Sequence, residues 1–577
     1  MEHNETIRWR DWGPEVFARS REEKKPIFLS ISATWCHWCH VMDEEAFDYP
    51  EVIRRLNGDF IPVRVDSDKR PDINSRYNMG GWPTVAILDA EGGVYSGGTY
   101  MPTSHLLDLL SRVKEKAPGT PPENSPVPQG KSPASGKGPD PEGITEVLGW
   151  VDLSFDREYG GFGPPPKFPH PWILELILRN RERVEDPKWR HMALMTLDAM
   201  RESELYDRED GGFFRYATRG DWDRPHFEKL LETNSQMLSV YLEAYRVLNE
   251  PTYLATARGV LDYLKTFLAA PEHPGFFGSQ SADGEYYSLS EDARLNSPPP
   301  PVDQTIYSGL NADSASALIQ SGLVLGEPGL ISSGLELADF LWEKFKTPES
   351  GMSHCAGGAS PLQGYLADQV RMVTLLLKAL ELNGGPRFLD RALDLLDTMN
   401  RNLWDEDSGA YRDLPHGTSR EGFLKKEMKP LADNSLAAMA LTRLYYLTGD
   451  KSFFLRAEKT LAFLSCVFRP YKFHAAVFAL ALEHYLNPPD SIVIIGPRED
   501  ENWRRLVQAA HRMDPSKTPY WKVVVPLDNK DDFGRIEKLG HRPSERPVAF
   551  FCRGRTCLPP VYNPGALESL PVSGNPK

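Results

Sequence analysis

Hydrophobic patterning divides the chain into three regimes. From Trp12 to about Ala117, short β-rich apolar runs alternate with helical stretches, the pattern of a small α/β domain. From Ile144 to about Asn487 the apolar residues recur at three- and four-residue spacing instead. Leu436, Ala440, Leu444 and Leu447 form one such stripe, which a helix needs to bury one face. Short apolar runs return at residues 491–496, 522–525 and 548–551, and predict three buried strands with helices between them. A Pro-, Gly- and Ser-rich tract at 118–143 has the composition of an exposed linker. The predicted units are therefore an α/β domain (1–117), a linker (118–143), an all-helical region (144–487) and a small α/β segment (488–577).

The helical region reads as twelve amphipathic stretches, beginning near Ile144, Pro171, Pro187, Glu228, Thr252, Asp313, Gly329, Leu362, Pro386, Ala432, Lys451 and Tyr471. The connections after even-numbered stretches are short, as at Glu250-Pro251 and Gly449-Asp450, and most of the others are long. Several long ones carry a related turn: Asp156 to Phe162, Asp207 to Phe213, Gly275-Phe276, Gly351-Met352 and Asp407 to Gly409. Short loops make neighbouring helices antiparallel, so the long loops all emerge at one end. Six such pairs predict an (α/α)6 toroid, with an open solenoid as the alternative.

Length and charge narrow the function. The 577 residues exceed one small domain, and 40% hydrophobic with 25% charged residues is ordinary globular composition. A net charge of −15 with no Lys/Arg cluster argues against nucleic acid. No apolar run approaches the ~20 residues of a membrane span. The first residues, Met1 to Glu5, lack the basic and apolar regions of an export signal, so a cytoplasmic location is expected. Six cysteines in such a chain point to catalytic or metal-binding thiols rather than a disulfide scaffold.

The thiol chemistry centres on Cys36 and Cys39. The buried run 26–32 leads directly into Trp35-Cys36-His37-Trp38-Cys39-His40, and a helical pattern continues to Phe47. A cysteine at a helix N-terminus faces unpaired N–H groups, which stabilise its thiolate. Cys36, expected to be the more exposed, would attack, and Cys39 would resolve the mixed disulfide. His37 and His40 can add positive charge. Downstream, Trp82-Pro83-Thr84 precedes an apolar strand, a place where thioredoxin folds keep a cis proline beside the dithiol; cis bonds are inexpensive only before proline. Together these features resemble a thioredoxin-type redox site. The alternatives are a C-x-x-C-H haem attachment, disfavoured by the absent export signal, a zinc site with His40, and an idle C-x-x-C on a docking module.

Longer motifs extend the resemblance. CHWCHVM at 36–42, VDSDKRPDI at 65–73, GGWPT, GGTYMP at 97–102, GGFGPPPKFPHP at 160–171 and HFEKLLETN at 226–234 closely resemble the thioredoxin-domain proteins related to spermatogenesis-associated protein 20. That resemblance implies a thioredoxin-like domain fused to a six-hairpin-glycosidase-like barrel similar to N-acylglucosamine 2-epimerase, hence carbohydrate metabolism. Fold likeness alone does not fix an activity. Cys552 and Cys557 look like the family's terminal cysteine pair, readable as a disulfide, a metal pair or free thiols; a cytoplasmic address favours the reduced state. Two departures stand out. Ser30 occupies the place of the buried acid that thioredoxins keep before the first active cysteine. The tryptophan expected near the sixth helix is replaced within Ser308 to Asp313.

Polar residues recur where long loops enter even-numbered helices: Lys167, His170, His226, Glu228, Asn234, Asn311, Asp313, Asp368, Asp433 and Asn434. With Phe162, Phe213, Tyr365 and Tyr411 they are expected to line one mouth suited to a polyhydroxylated ligand. Paired carboxylates there would serve acid–base chemistry and a His could carry a proton. Helix capping is the competing use of Asp and Asn, and Lys229 is expected to form a helix-face salt bridge. The sequence thus predicts a redox protein with a disulfide-containing protein or small-molecule substrate, a carbohydrate ligand in the barrel, and no cofactor, metal, nucleic acid or membrane partner. A carbohydrate-active epimerase or glycosidase and a non-enzymatic binding protein are the alternatives.

Overall fold

A computed structural model describes residues 6–115, 138–356, 362–383, 385–417, 420–513, 520–554 and 556–570. Most of the predicted linker, residues 118–137, lies outside the described residues, while Gly143 already belongs to the first helix beyond it.

The N-terminal domain runs α1 (Pro14–Glu23), β1 (Ile27–Ser32), α2 (His37–Met42), α3 (Pro50–Asp59), β2 (Ile61–Asp66), α4 (Pro71–Tyr77), β3 (Thr84–Leu88), β4 (Val94–Gly98) and α5 (Thr103–Glu115). The apolar run of β1 is buried from Ile27 through Ile31 because the strand is central, with order β2-β1-β3-β4. It pairs parallel with β2, Ile27 opposite Ile61, and antiparallel with β3, Ile27 opposite Leu88. Both faces are covered, as a continuous hydrophobic strand requires. This is a thioredoxin-like domain.

Among the described residues up to Leu486, twelve helices of eight or more residues follow: α6 (Glu142–Ser154), α7 (Pro171–Leu178), α8 (Pro187–Glu202), α9 (Leu231–Leu248), α10 (Pro251–Tyr263), α11 (Ser308–Leu325), α12 (Pro328–Phe345), α13 (Leu366–Asn383), α14 (Pro386–Asn402), α15 (Leu431–Thr448), α16 (Lys451–Val467) and α17 (Ala476–Leu486). Helices α7, α9, α11, α13, α15 and α17 each pack on the next, and α17 packs back on α7. The inner ring is closed, and the other six helices form an outer ring, each against an inner neighbour. An (α/α)6 toroid results.

Local chemistry makes its short turns. Helices α9, α11 and α15 end in left-handed residues, Asn249 (φ 58°), Gly326 (φ 72°) and Gly449 (φ 74°), where a C-terminal cap favours Gly or Asn. The outer helices α8, α10, α12 and α14 start on proline, whose missing N–H costs nothing at the first helical position.

The tail forms a second sheet: β5 (Asp490–Gly496), α18 (Glu501–Arg512), β6 (Lys522–Asp528), α19 (Phe533–Lys538), β7 (Val548–Arg553), β8 (Thr556–Cys557) and α20 (Pro564–Glu568), in strand order β6-β5-β7-β8. It docks on the barrel through β6, which packs against α13 and α15. The structure joins Cys552 to Cys557, correcting the expectation that this pair is reduced. The β7–β8 register sets the two residues directly opposite each other, which brings their side chains together.

Candidate functional site

The long loops turn out to be built, and their construction separates structural from available polar groups. Each makes a small ribbon, bridging Phe155 to Phe162, Tyr206 to Phe213, Ala269 to Phe276, Thr347 to Gly351 and Asp405 to Ala410. In four cases the next inner helix carries an amide as its fourth residue: Asn234, Asn311, Gln369 and Asn434. Each amide accepts the N–H and donates to the C=O of one ribbon residue, Phe213, Phe276, Met352 and Tyr411 respectively. Two lysines repeat another device. Lys167 Nζ donates to Asp156 (2.7 Å) and to Gly160 O, and Lys229 Nζ to Asp207 (2.7 Å) and to Gly211 O. Lys229 is fully buried in a short strand two residues before α9 begins, so its salt bridge is internal rather than on a helix face. Asn234, Asn434 and Lys167 thus hold loops. Phe162, Phe213 and Tyr411 are core residues that those loops bury, and they do not line a mouth.

The thiols lie where the two modules meet. Cys36 caps α2, and its sulfur accepts the Cys39 N–H at 3.2 Å, the placement that stabilises a thiolate. In this structure the two sulfurs are joined. Both residues are only 3% exposed, which corrects the expectation that Cys36 is the more exposed. The reason is the barrel: Ala33, Trp35, Cys36 and Cys39 form one apolar cluster against Trp82 and the barrel's Leu230. The Trp82–Pro83 bond is cis. His37, Trp38 and His40 point the other way, to solvent, with Trp38 beside Tyr100.

Further barrel groups reach this cluster. The guanidinium of Arg215 lies over the rings of Trp35 (4.5 Å) and Trp82 (4.8 Å). The Arg215 N–H donates to Glu228 O, and the Ala282 N–H to Trp35 O. Glu228 is buried with Oε2 unpartnered, while its Oε1 lies 3.5 Å from Nδ1 of His226, whose ring stacks on Tyr216. On the domain side, the Trp35 indole donates to Asp68 at 2.7 Å. Burial, and then the charge of Asp66, push the Asp68 carboxyl up to about 7. Ser30 lies in β1 with its hydroxyl unpartnered, and Asp68 is an acid bonded to Trp35, the residue before Cys36. His354 bridges the modules, Nε2 at 2.6 Å from the Asp68 carbonyl and Nδ1 at 2.9 Å from Asp368. His170 stays apart, against Phe473 and His474, and burial pushes it down to about 4.

Beneath the junction the barrel lumen holds ionisable groups from several inner helices. Arg371 pairs with Glu232 (2.7 Å) and Asp313 (3.1 Å). Burial pushes the carboxyls of both Asp313 and Asp433 up to about 6, although Arg371 opposes it. Asp368 accepts the Gly309 N–H at 3.2 Å; a side chain at 309 would collide with it. The sequence reading missed Arg215, Asp68, His354 and Arg371. Asp68 had a signal in the 65–73 motif, whereas the others act through contacts between distant segments.

Fold and site together define a thioredoxin-like domain seated on an (α/α)6 barrel. Residues 1–116 match the family model Thioredox_DsbH, described as a protein of unknown function, DUF255. The chain resembles human spermatogenesis-associated protein 20 almost end to end, at 26% identity over 98% of this chain and 89% of that protein. Thiol:disulfide interchange protein DsbD from Cronobacter sakazakii is 31% identical over 14% of this chain and 15% of its own. Among solved structures, cellobiose 2-epimerase from Spirochaeta thermophila matches with a TM-score of 0.45 at 17% identity, covering 55% of this chain and 81% of that one. Among the described residues no helix is long and apolar enough to cross a membrane, and no group of His, Cys, Asp and Glu converges as a metal would require.

Proposed function

We propose that this chain is a thiol–disulfide redox protein whose dithiol works at the mouth of a barrel that takes a small, sugar-like ligand. The observation that carries the reading is the Cys36–Cys39 pair at the start of α2, closed over by Leu230 and Arg215 of the barrel. In the reductive direction the Cys36 thiolate attacks a substrate disulfide, forming a mixed disulfide and expelling one substrate thiolate. Cys39, deprotonated, then attacks Cys36; the second substrate thiolate leaves and the Cys36–Cys39 disulfide forms. Two electrons pass to substrate, and an external dithiol restores the pair. Asp68, whose carboxyl burial and Asp66 push up to about 7, accepts the indole N–H of Trp35, the residue before Cys36, and is the group we assign to the Cys39 proton. Mass spectrometry of the full chain equilibrated in glutathione buffers, with and without Cys36→Ser, tests this. A two-electron transition lost in the variant is expected; a pair that never reduces, or reduces with no reactivity toward a model disulfide, would overturn it.

A second reading rests on Asp313 and Asp433, two lumen carboxyls held near pH 6 beside Arg371, a setting in which one acid and one base can coexist. It assigns epimerase- or glycosidase-like turnover to the barrel. Asp433→Asn should then abolish conversion of a sugar panel that Cys36→Ser leaves intact.

A further inference from the structure

A cavity of about 890 Å³ opens at the end of the barrel opposite the thiols, between the C-terminal ends of the inner helices and the tail sheet. All six inner helices contribute to its wall, from Leu178 on α7 to His484 on α17, and the tail closes it with Trp521, Lys522 and Val524. Eight arginines and lysines line it against three glutamates, in a chain whose net charge is −15.

Helix capping accounts for part of this charge. Lys522 donates to the carbonyls of Ala510 and His511 at the end of α18. The inner helices do bring their negative ends to this wall, but outer helices α8, α10, α12, α14 and α16 begin at the same end and offset them. The arginines are largely answered by carboxylates: Arg246 by Glu243, and Arg443 by Glu381 in a two-pronged pair. Two groups are not. Lys378 sits mid-wall on α13, donates only to the Ser316 carbonyl (2.8 Å), and has no carboxylate in ion-pair range among the described residues. His484 is 7% exposed, and its Nε2 has no hydrogen-bonding partner although its ring is held against Trp521 at 4.8 Å. A buried, unanswered donor or acceptor in a polar cavity is expensive unless something binds it.

We propose that this far-end cavity is a binding site for a small phosphate-bearing molecule, with the phosphate held between Lys378 and His484 and flanked by Arg246 and Arg443. The volume suits a monosaccharide phosphate or a mononucleotide. Burial and the nearby Arg179 and Arg443 push the Lys378 ammonium down to about 8, so an anion there would stabilise a charge that burial disfavours.

Isothermal titration of the full chain with pyrophosphate, glucose 6-phosphate and AMP, with glucose as the uncharged control, tests the site. Saturable binding of at least one phosphate compound and none of glucose is expected. Lys378→Met keeps the side-chain volume and should weaken binding at least ten-fold, with Lys378→Arg restoring most of it. Arg246→Gln, on the rim of the cavity, gives a second variant should the first alter the melting curve. No saturable binding by any of the three, or wild-type affinity in both charge-removing variants, would overturn the proposal. Saturation by glucose as well would overturn the phosphate assignment.

Discussion

The two ends of the barrel are made from the same six helical hairpins yet carry opposite chemistry. At the long-loop end, Glu232, Asp313, Asp368 and Asp433 surround the guanidinium of Arg371, and a whole domain lies across the opening. At the short-turn end, basic residues dominate an open cavity, and only a thin sheet covers it. The difference follows from loop length. A long loop has residues to spare for a ribbon, an amide clamp and a docking surface, whereas a turn such as Gly449-Asp450 does no more than reverse the chain and leaves the helix ends exposed to whatever packs there.

The largest effect should come from cutting the joint that makes the mouth different. Arg76 of the thioredoxin-like domain forms a two-pronged pair with Asp413 of the barrel, 2.7 Å at its shorter arm, with both side chains at most 2% exposed. Its guanidinium also donates to the carbonyls of Phe423 and Lys426, and Tyr77 stacks on Phe423. Asp413→Ala leaves a buried guanidinium half-answered, a loss of about 3–5 kcal/mol for pairs of this kind. Denaturant unfolding followed by domain-specific fluorescence should show the thioredoxin-like domain separating in an earlier transition. A single unshifted transition would mean that the two ends are not distinguished by docking.

How much of this was legible beforehand differs between periodicity and assembly. The twelve helices, the alternation of loops and the ring could be read because each rests on local spacing, such as the stripe from Leu436 to Leu447, and on residues such as Pro251 and Gly449 that act within their own turn. The related turns at Asp156 and Asp207 were visible, but not the lysine that locks each from 11 and 22 residues away. The partnership of Arg76 with Asp413 spans 337 residues and leaves no local trace. The same holds for Arg215 over Trp35, and it is why the burial of Cys36 came as a correction. Asn234 and Asn434 could be read as capping or as binding residues; only the bonded ribbon decides between the two.

A middle-sized effect should follow from those clamps, which exist only at the long-loop end. Asn434→Ala frees the Tyr411 N–H and C=O in a buried setting, at a cost of about 1–3 kcal/mol. Asn434→Asp keeps the acceptor and loses the donor, so it should recover part of that cost. Thermal melting of both variants beside an equivalent pair at Asn234 would show whether the repeats bear load equally. Wild-type melting in all four would return these amides to the list of binding residues.

The smallest effect separates the two ends by pH. His354 is buried at the mouth; burial works against its charge, but Asp368 and the Asp68 carbonyl outweigh it and raise its pKa above the usual histidine value. A group whose folded pKa is raised stabilises fully below its unfolded pKa, about 6.5, and loses that contribution as pH climbs through the folded value. The Asp68 carboxyl, lifted to about 7 by burial and by Asp66, has the same sign over a lower window, from about 4 to 7. Melting temperature should therefore decline from pH 6 into the alkaline range, and His354→Gln should flatten the part above about pH 6.5 while leaving the Asp68 part in place. Lys378→Met, at the other end of the barrel, should leave the slope between pH 6 and 7 unchanged, because its ammonium titrates only near pH 8. If Lys378→Met flattens the slope below pH 7 as much as His354→Gln does, the two ends are coupled through the inner helices rather than independent.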